Sequence, residues 1–118
     1  MTPQDASQVL TRATLRAADL LGLDDQELGQ VIGYSASEAG LLRGGLALVQ
    51  ADTYSGTRCL LLVRLFQAVE ALVGGERAQL RLWLRGFDKG VGGVPGEHIS
   101  TEAGLIRTVE YLESRLGR

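Results

Sequence analysis

A thiol and an imidazole are the usual starting points for nucleophilic or metal chemistry, and this chain has one of each, Cys59 and His98. Zinc sites draw on three or four His/Cys ligands, so a single pair argues against one. Cys59 lies in Arg58-Cys59-Leu60-Leu61-Leu62-Val63, the setting of a small buried hydrophobe, and a lone cysteine can form no intrachain disulfide. His98 follows a glycine-rich stretch and reads as a surface or loop-packing residue. That stretch, Gly90-Val91-Gly92-Gly93-Val94-Pro95-Gly96, lacks the lysine and the strand-to-helix setting of a phosphate cradle. The expectation is a protein with no catalytic residues, no metal ligands and no cofactor.

Binding chemistry has more support. Leu28, Gly29, Ile32, Gly33, Ser35, Ala39 and Leu42 have helix-turn-helix spacing, with glycine where helices cross closely or the turn needs an unusual backbone angle. The second helix of that pair reads Ala36-Ser37-Glu38-Ala39-Gly40-Leu41-Leu42-Arg43. Its candidate DNA contacts are Ser35, Ser37 and Arg43, few for a helix that must meet base edges and phosphates. Further along, Arg77, Arg81 and Arg85 recur at every fourth position. Two readings of that row are open: a solvated face whose alkyl stems cover the core, or an anion-facing patch for a protein or DNA.

The elements that position these groups follow from 118 residues, 45% hydrophobic and 22% charged, which suits one small packed domain or a domain with an appended lobe. Net charge is −2, not that of a general nucleic-acid binder. Residues 1–57 carry three arginines against seven carboxylates, a net of −4, whereas residues 58–118 carry nine Arg/Lys against seven carboxylates, a net of +2. No signal peptide and no 18-residue apolar run is visible, so a cytoplasmic protein is expected.

Helical periodicity predicts a first helix over about 4–21 closed by Gly22, then a short one over 25–32 opened by Asp24 with Glu27 as a capping box and closed by Gly33. Ser35 or Ser37 caps a third, running to about Arg43. Residues 46–52 read as a loop or short turn. The longest helix spans Thr53 to Val73, and its apolar arc of Cys59, Leu61, Leu62, Leu65, Phe66, Val69, Leu72 and Val73 leaves out Leu60 and Val63. Those two residues are candidates for a dimer surface. A helix over 76–85 places Leu80, Trp83 and Leu84 on one face, and a loop follows over 86–96. Trp83 either anchors a second core or marks the start of a binding lobe. The last helix, capped by Ser100 or Thr101, carries Leu105, Val109, Leu112 and Leu116. No stretch alternates as a strand does, so the fold class is all-α.

In order and spacing, Trp83-Leu84, Gly92-Gly93-Val94-Pro95, Thr101-Glu102-Ala103-Gly104 and Val109-Glu110-Tyr111-Leu112 follow the helix-turn-helix. Together they resemble the Xre/MbcA/ParS antitoxin family of bacterial toxin–antitoxin modules. The resemblance spans nearly the whole chain. It implies an Xre-like helix-turn-helix and dimerisation module over 1–57 and a toxin-binding region over 58–118. It further implies a RES-domain toxin partner that acts on NAD, neutralised when the C-terminal region covers its active-site cleft. By this resemblance Trp83, Leu84, Gly93, Pro95, Gly104, Tyr111 and Leu112 belong to the toxin-binding lobe, with Arg115 and Arg118 pointing towards the toxin cleft. A homodimer inside a larger complex, repression of its own operon and no membrane association are also implied. Where the family commonly has Pro-Asn this chain has Phe87-Asp88-Lys89, and Gly40-Leu41 stands where DNA-binding relatives often carry Ser-Arg. The alternative expectation is a stand-alone helix-turn-helix transcriptional regulator.

Overall fold

Local capping defines most of the architecture. A computed structural model describes residues 2–118. Thr2 and Asp5 form a capping box that opens α1 (Pro3–Leu21), and Gly22, at φ 83°, closes it. The amides of Gly22 and Leu23 bond back to the Asp19 and Ala18 carbonyls, a Schellman-type ending that needs the left-handed conformation glycine adopts without penalty. Asp24 and Glu27 cap α2 (Asp25–Ile32) reciprocally, and Gly33 ends it at φ 85°. Of the two serines offered as caps for α3 (Ala36–Arg43), Ser35 is the one used, with Glu38 completing its box.

α4 (Tyr54–Val73) starts at Thr53, whose hydroxyl accepts from the Gly56 amide. It is followed by α5 (Arg77–Arg85), the single turn α6 (Pro95–His98) and α7 (Glu102–Arg115). The fold is all-α: among the described residues the only β pairing is an isolated bridge between Asp88 and Gly93. No helix is long and apolar enough to cross a membrane among those residues.

α4 is the hub. It packs against α1, α2, α5 and α7. Leu62, Leu65 and Val69 are fully buried in it, and they join Leu21, Leu28, Ile32, Leu80, Leu84, Leu105 and Leu112 in one continuous core. The 57/58 division between the two expected regions therefore falls within the first turn and a half of the hub helix. Leu60, outside the predicted apolar arc, is 53% exposed. Val63 is half-buried.

The ambiguous segment 46–52 is an extended connection laid along α1. The Thr11 hydroxyl accepts from the Val49 amide at 2.9 Å, and the Ser7 hydroxyl from the Ala51 amide at 3.1 Å. Two polar residues buried on α1 thus satisfy backbone groups that a helix would have paired internally. The first turn of α4 presses on the same segment: a Cβ at Gly56 would lie 2.5 Å from the Gln50 carbonyl oxygen. Any side chain there would displace backbone.

Candidate functional site

The arginine row of α5 has a destination that neither reading of the sequence named. Arg77 donates to the Asp19 carboxylate at 3.2 Å, and Arg81 donates to the Asp19 carbonyl at 2.9 Å. Arg85 donates to the Gly22 carbonyl at 2.7 Å and pairs with the Glu27 carboxylate. The three guanidinium groups therefore clamp the C-terminal end of α1, where unpaired carbonyls and the helix dipole favour positive charge. The heads are partly exposed, so the clamp orients α5 more than it stabilises the fold. Arg85 holds the Glu27 carboxyl below its usual range, against a smaller opposing effect of burial, and Glu27 in turn raises the Arg85 guanidinium.

The α2–turn–α3 pair is closed in the same sense. A Cβ at Gly29 would lie 2.5 Å from the Tyr34 carbonyl oxygen, so glycine is required where the turn passes α2. Arg43, the one cation of α3, donates through Nε to Asp25 at 2.7 Å and through its terminal nitrogen to the Leu23 carbonyl at 3.0 Å. Ser35 spends its hydroxyl on the Glu38 amide at 3.1 Å. Among the three DNA candidates only Ser37 is exposed without such a commitment.

Beyond α5 the chain makes a compact turn instead of an open glycine loop. Asp88 organises it: one carboxylate oxygen accepts from the Gly90 and Val91 amides at 2.8 and 3.1 Å, and the other accepts from Trp83 Nε1 at 3.0 Å. Trp83 is half-buried against the core, so its ring anchors the lobe while its indole N–H fixes the turn. Pro95, expected in the loop, is buried at the first position of α6, where a missing N–H costs nothing. Thr101 then caps α7 by accepting from the Gly104 amide at 3.1 Å.

Gly90 and Gly104 are both places where no Cβ fits, the first against Tyr111 and the second against the His98 carbonyl. A Cβ at Gly93 would lie 2.5 Å from His98 Nε2, so the imidazole lies across that glycine. These close approaches shape a cleft of about 630 Å³ lined by Gly90, Val91, Glu97, His98, Thr101, Gly104, Arg107, Thr108 and Tyr111.

The lobe residues implied by the resemblance divide by depth. Leu84 and Leu112 are 0% and 1% exposed, so within the lobe they support it from beneath. Pro95 is likewise buried, and Gly104 acts by letting α7 approach the His98 carbonyl. Tyr111 is half-buried in the cleft lining, and Gly93 is half-buried beneath the His98 ring. Arg115 is exposed and lies over the Tyr111 ring, 5.9 Å from its centroid. Arg118 is exposed too, but its amide bonds to the Glu113 carbonyl at 2.9 Å, folding the last residues back onto the end of α7.

Asp88 and Arg107 escaped the sequence reading. An Asp two residues before a glycine is a local turn signal that would have found the first. Nothing local distinguishes Arg107 from other helix-surface arginines. Cys59 is fully buried, and burial pushes its thiol up to about 11, which keeps it protonated and unreactive at neutral pH.

The chain matches no family model and no curated protein, so the likeness to Xre/MbcA/ParS antitoxins rests on its own residues.

Proposed function

We propose that this chain is an antitoxin that binds a cognate RES-domain toxin acting on NAD and neutralises it by covering the toxin's active-site cleft. In this reading it is not an enzyme and needs no cofactor. It works in the cytoplasm as a homodimer within a larger toxin–antitoxin complex, with Leu60 and Val63 at the dimer surface. The observation that carries the reading is where exposed groups lie. Arg107, Arg115 and Arg118 are exposed on α7 and its end, and Leu82 and Phe87 are 66% and 74% exposed beside the turn after α5. Aromatic and aliphatic anchors with arginine are what protein interfaces favour. The lone cation of α3 is meanwhile occupied by Asp25.

The test is co-purification of the tagged protein from its own cells with the partner identified by mass. A stoichiometric RES-domain partner, active on NAD only after separation, is the expected result. Removing Gly117 and Arg118 together with Arg115→Ala should weaken inhibition if the C-terminal arginines enter the toxin cleft. Unchanged inhibition would discard that part alone. The glycine-dependent α2–turn–α3 geometry favours a second reading, a stand-alone transcriptional regulator or an antitoxin that also represses its own operon. Tight, sequence-specific, salt-dependent DNA binding without any partner would move the assignment there.

A further inference from the structure

The cleft between the Asp88 turn and α7, which shares Arg107 and Tyr111 with the surface just described, combines space with unpartnered polar groups. Its hydrogen bonds, Thr101 to the Gly104 amide and Thr108 to the Gly104 carbonyl, are structural. Among the described residues, Arg107 belongs to no ion pair, and neither its guanidinium nor the His98 ring nor the Tyr111 hydroxyl has a hydrogen-bond partner. All three arginines of the 77–85 row, by contrast, are tied down. Glu97 is the only carboxylate on the lining.

We propose that this cleft binds a small hydroxylated organic anion, a sugar phosphate or a sugar acid, with Arg107 as the anion-binding group. A guanidinium presents a planar fork that matches a carboxylate or phosphate with two parallel bonds. The space of about 630 Å³ is several times what an inorganic ion fills and lies in the range of small-molecule sites. Chemistry for the remainder of the ligand surrounds the fork. The Thr101 oxygen already accepts from Gly104, leaving its O–H to donate, while the Glu97 carboxylate can accept from ligand hydroxyls. His98 and Tyr111 supply flat walls and one further donor each. Glycine at 90 and 104 lets the Tyr111 phenol and the His98 carbonyl pack against backbone beside the cleft. The proposal does not depend on the antitoxin reading, because it concerns the isolated chain.

The test is a titration of the ¹⁵N-labelled full chain with ribose 5-phosphate, gluconate and inorganic phosphate in separate series. Saturable amide shifts confined to Gly90, Val91, Thr101, Gly104 and Arg107 are expected with one of the two organic anions, and which one identifies the anionic group. Arg107→Met should weaken that binding at least tenfold, while Arg12→Met, on the exposed face of α1, leaves it unchanged. Tyr111→Phe should weaken it two- to fivefold. Shifts that never saturate with either organic anion overturn the proposal, as does Arg107→Met binding as tightly as the parent. Equal affinity for inorganic phosphate reduces the cleft to an ion site and overturns the organic ligand.

Discussion

The α2–turn–α3 pair and the turn–α6–α7 segment are built from the same parts and use them in opposite ways. Both place a glycine where backbone passes backbone, Gly29 under the Tyr34 carbonyl and Gly104 under the His98 carbonyl. Both start helices with side-chain caps, Asp24 and Ser35 in one and Thr101 in the other. In the first, the polar groups are consumed internally: Arg43 meets Asp25, and Glu27 meets both the Asp24 amide and Arg85. In the second, the Arg107 guanidinium, the His98 ring and the Tyr111 hydroxyl stand around a cleft without hydrogen-bond partners among the described residues. Helix caps and close glycines thus serve as scaffolding anywhere, whereas unspent side-chain donors mark where a fold has room for a ligand or partner.

The largest effect should come from removing the common support. Leu84 and Leu28 are both fully buried, one beneath each region. Leu84→Ala and Leu28→Ala are each expected to cost about 2–5 kcal/mol in chemical denaturation. If the two regions share one cooperative core, both variants lower a single transition. Two resolved transitions would break that picture and show that α4 serves separate units.

Adding a methyl at the close approaches comes next. Gly29→Ala and Gly104→Ala should each destabilise by about 1–3 kcal/mol, because the obstacle is backbone and not a movable side chain. Hydrogen exchange should locate the damage in α2–α3 for the first and in α6–α7 for the second. Damage spread equally over both would show that the contrast between the regions is not local.

Smaller still is the Trp83–Asp88 bond. Trp83→Phe keeps an aromatic anchor and removes the indole donor, with an expected cost of about 1 kcal/mol and faster exchange at the Gly90 and Val91 amides. Unchanged exchange would mean that the two amide bonds to Asp88 hold the turn by themselves.

The smallest effect concerns the tie between the regions. Glu27 is held below its ordinary value of 4.5 chiefly by the bond to Arg85. A depressed carboxyl contributes stability that is present above the unfolded value and lost as pH falls through the folded one. Thermal melts of the parent and Glu27→Gln should therefore differ at pH 7 and converge as the medium is acidified below about pH 4. With Arg85 48% exposed, the difference at neutral pH should be only about 0.5 kcal/mol. A gap that persists at low pH would assign the effect to the helix cap and not to the ion pair.

Much of this was legible locally. Capping reaches three residues along the chain, so Asp24 with Glu27 and the closing glycines Gly22 and Gly33 could be read directly from spacing. The apolar arc of α4 was legible for the same reason: one helix face needs only its own periodicity. Segment 46–52 was not, because the hydroxyls that satisfy it belong to Ser7 and Thr11, 44 and 38 residues away. At the candidate cleft, sequence motifs named Tyr111 and Gly104, and helical periodicity had already put Leu84 and Leu112 on the apolar faces that the structure buries.

The all-α class, the helix ends and the residues capable of forming the core follow from the amino-acid order alone, because hydrogen-bond caps and 3.6-residue periodicity are short-range properties. What the arginines do depends on long-range packing. Arg77, Arg81 and Arg85 sit on one helix face with the same charge as Arg107, yet the former reach across 58 to 63 residues of chain to Asp19, Gly22 and Glu27. Arg107 meets a cleft instead. A guanidinium is committed or free according to which carbonyls and carboxylates the packing of α4 brings within about 3 Å, a distance that sequence separation does not encode.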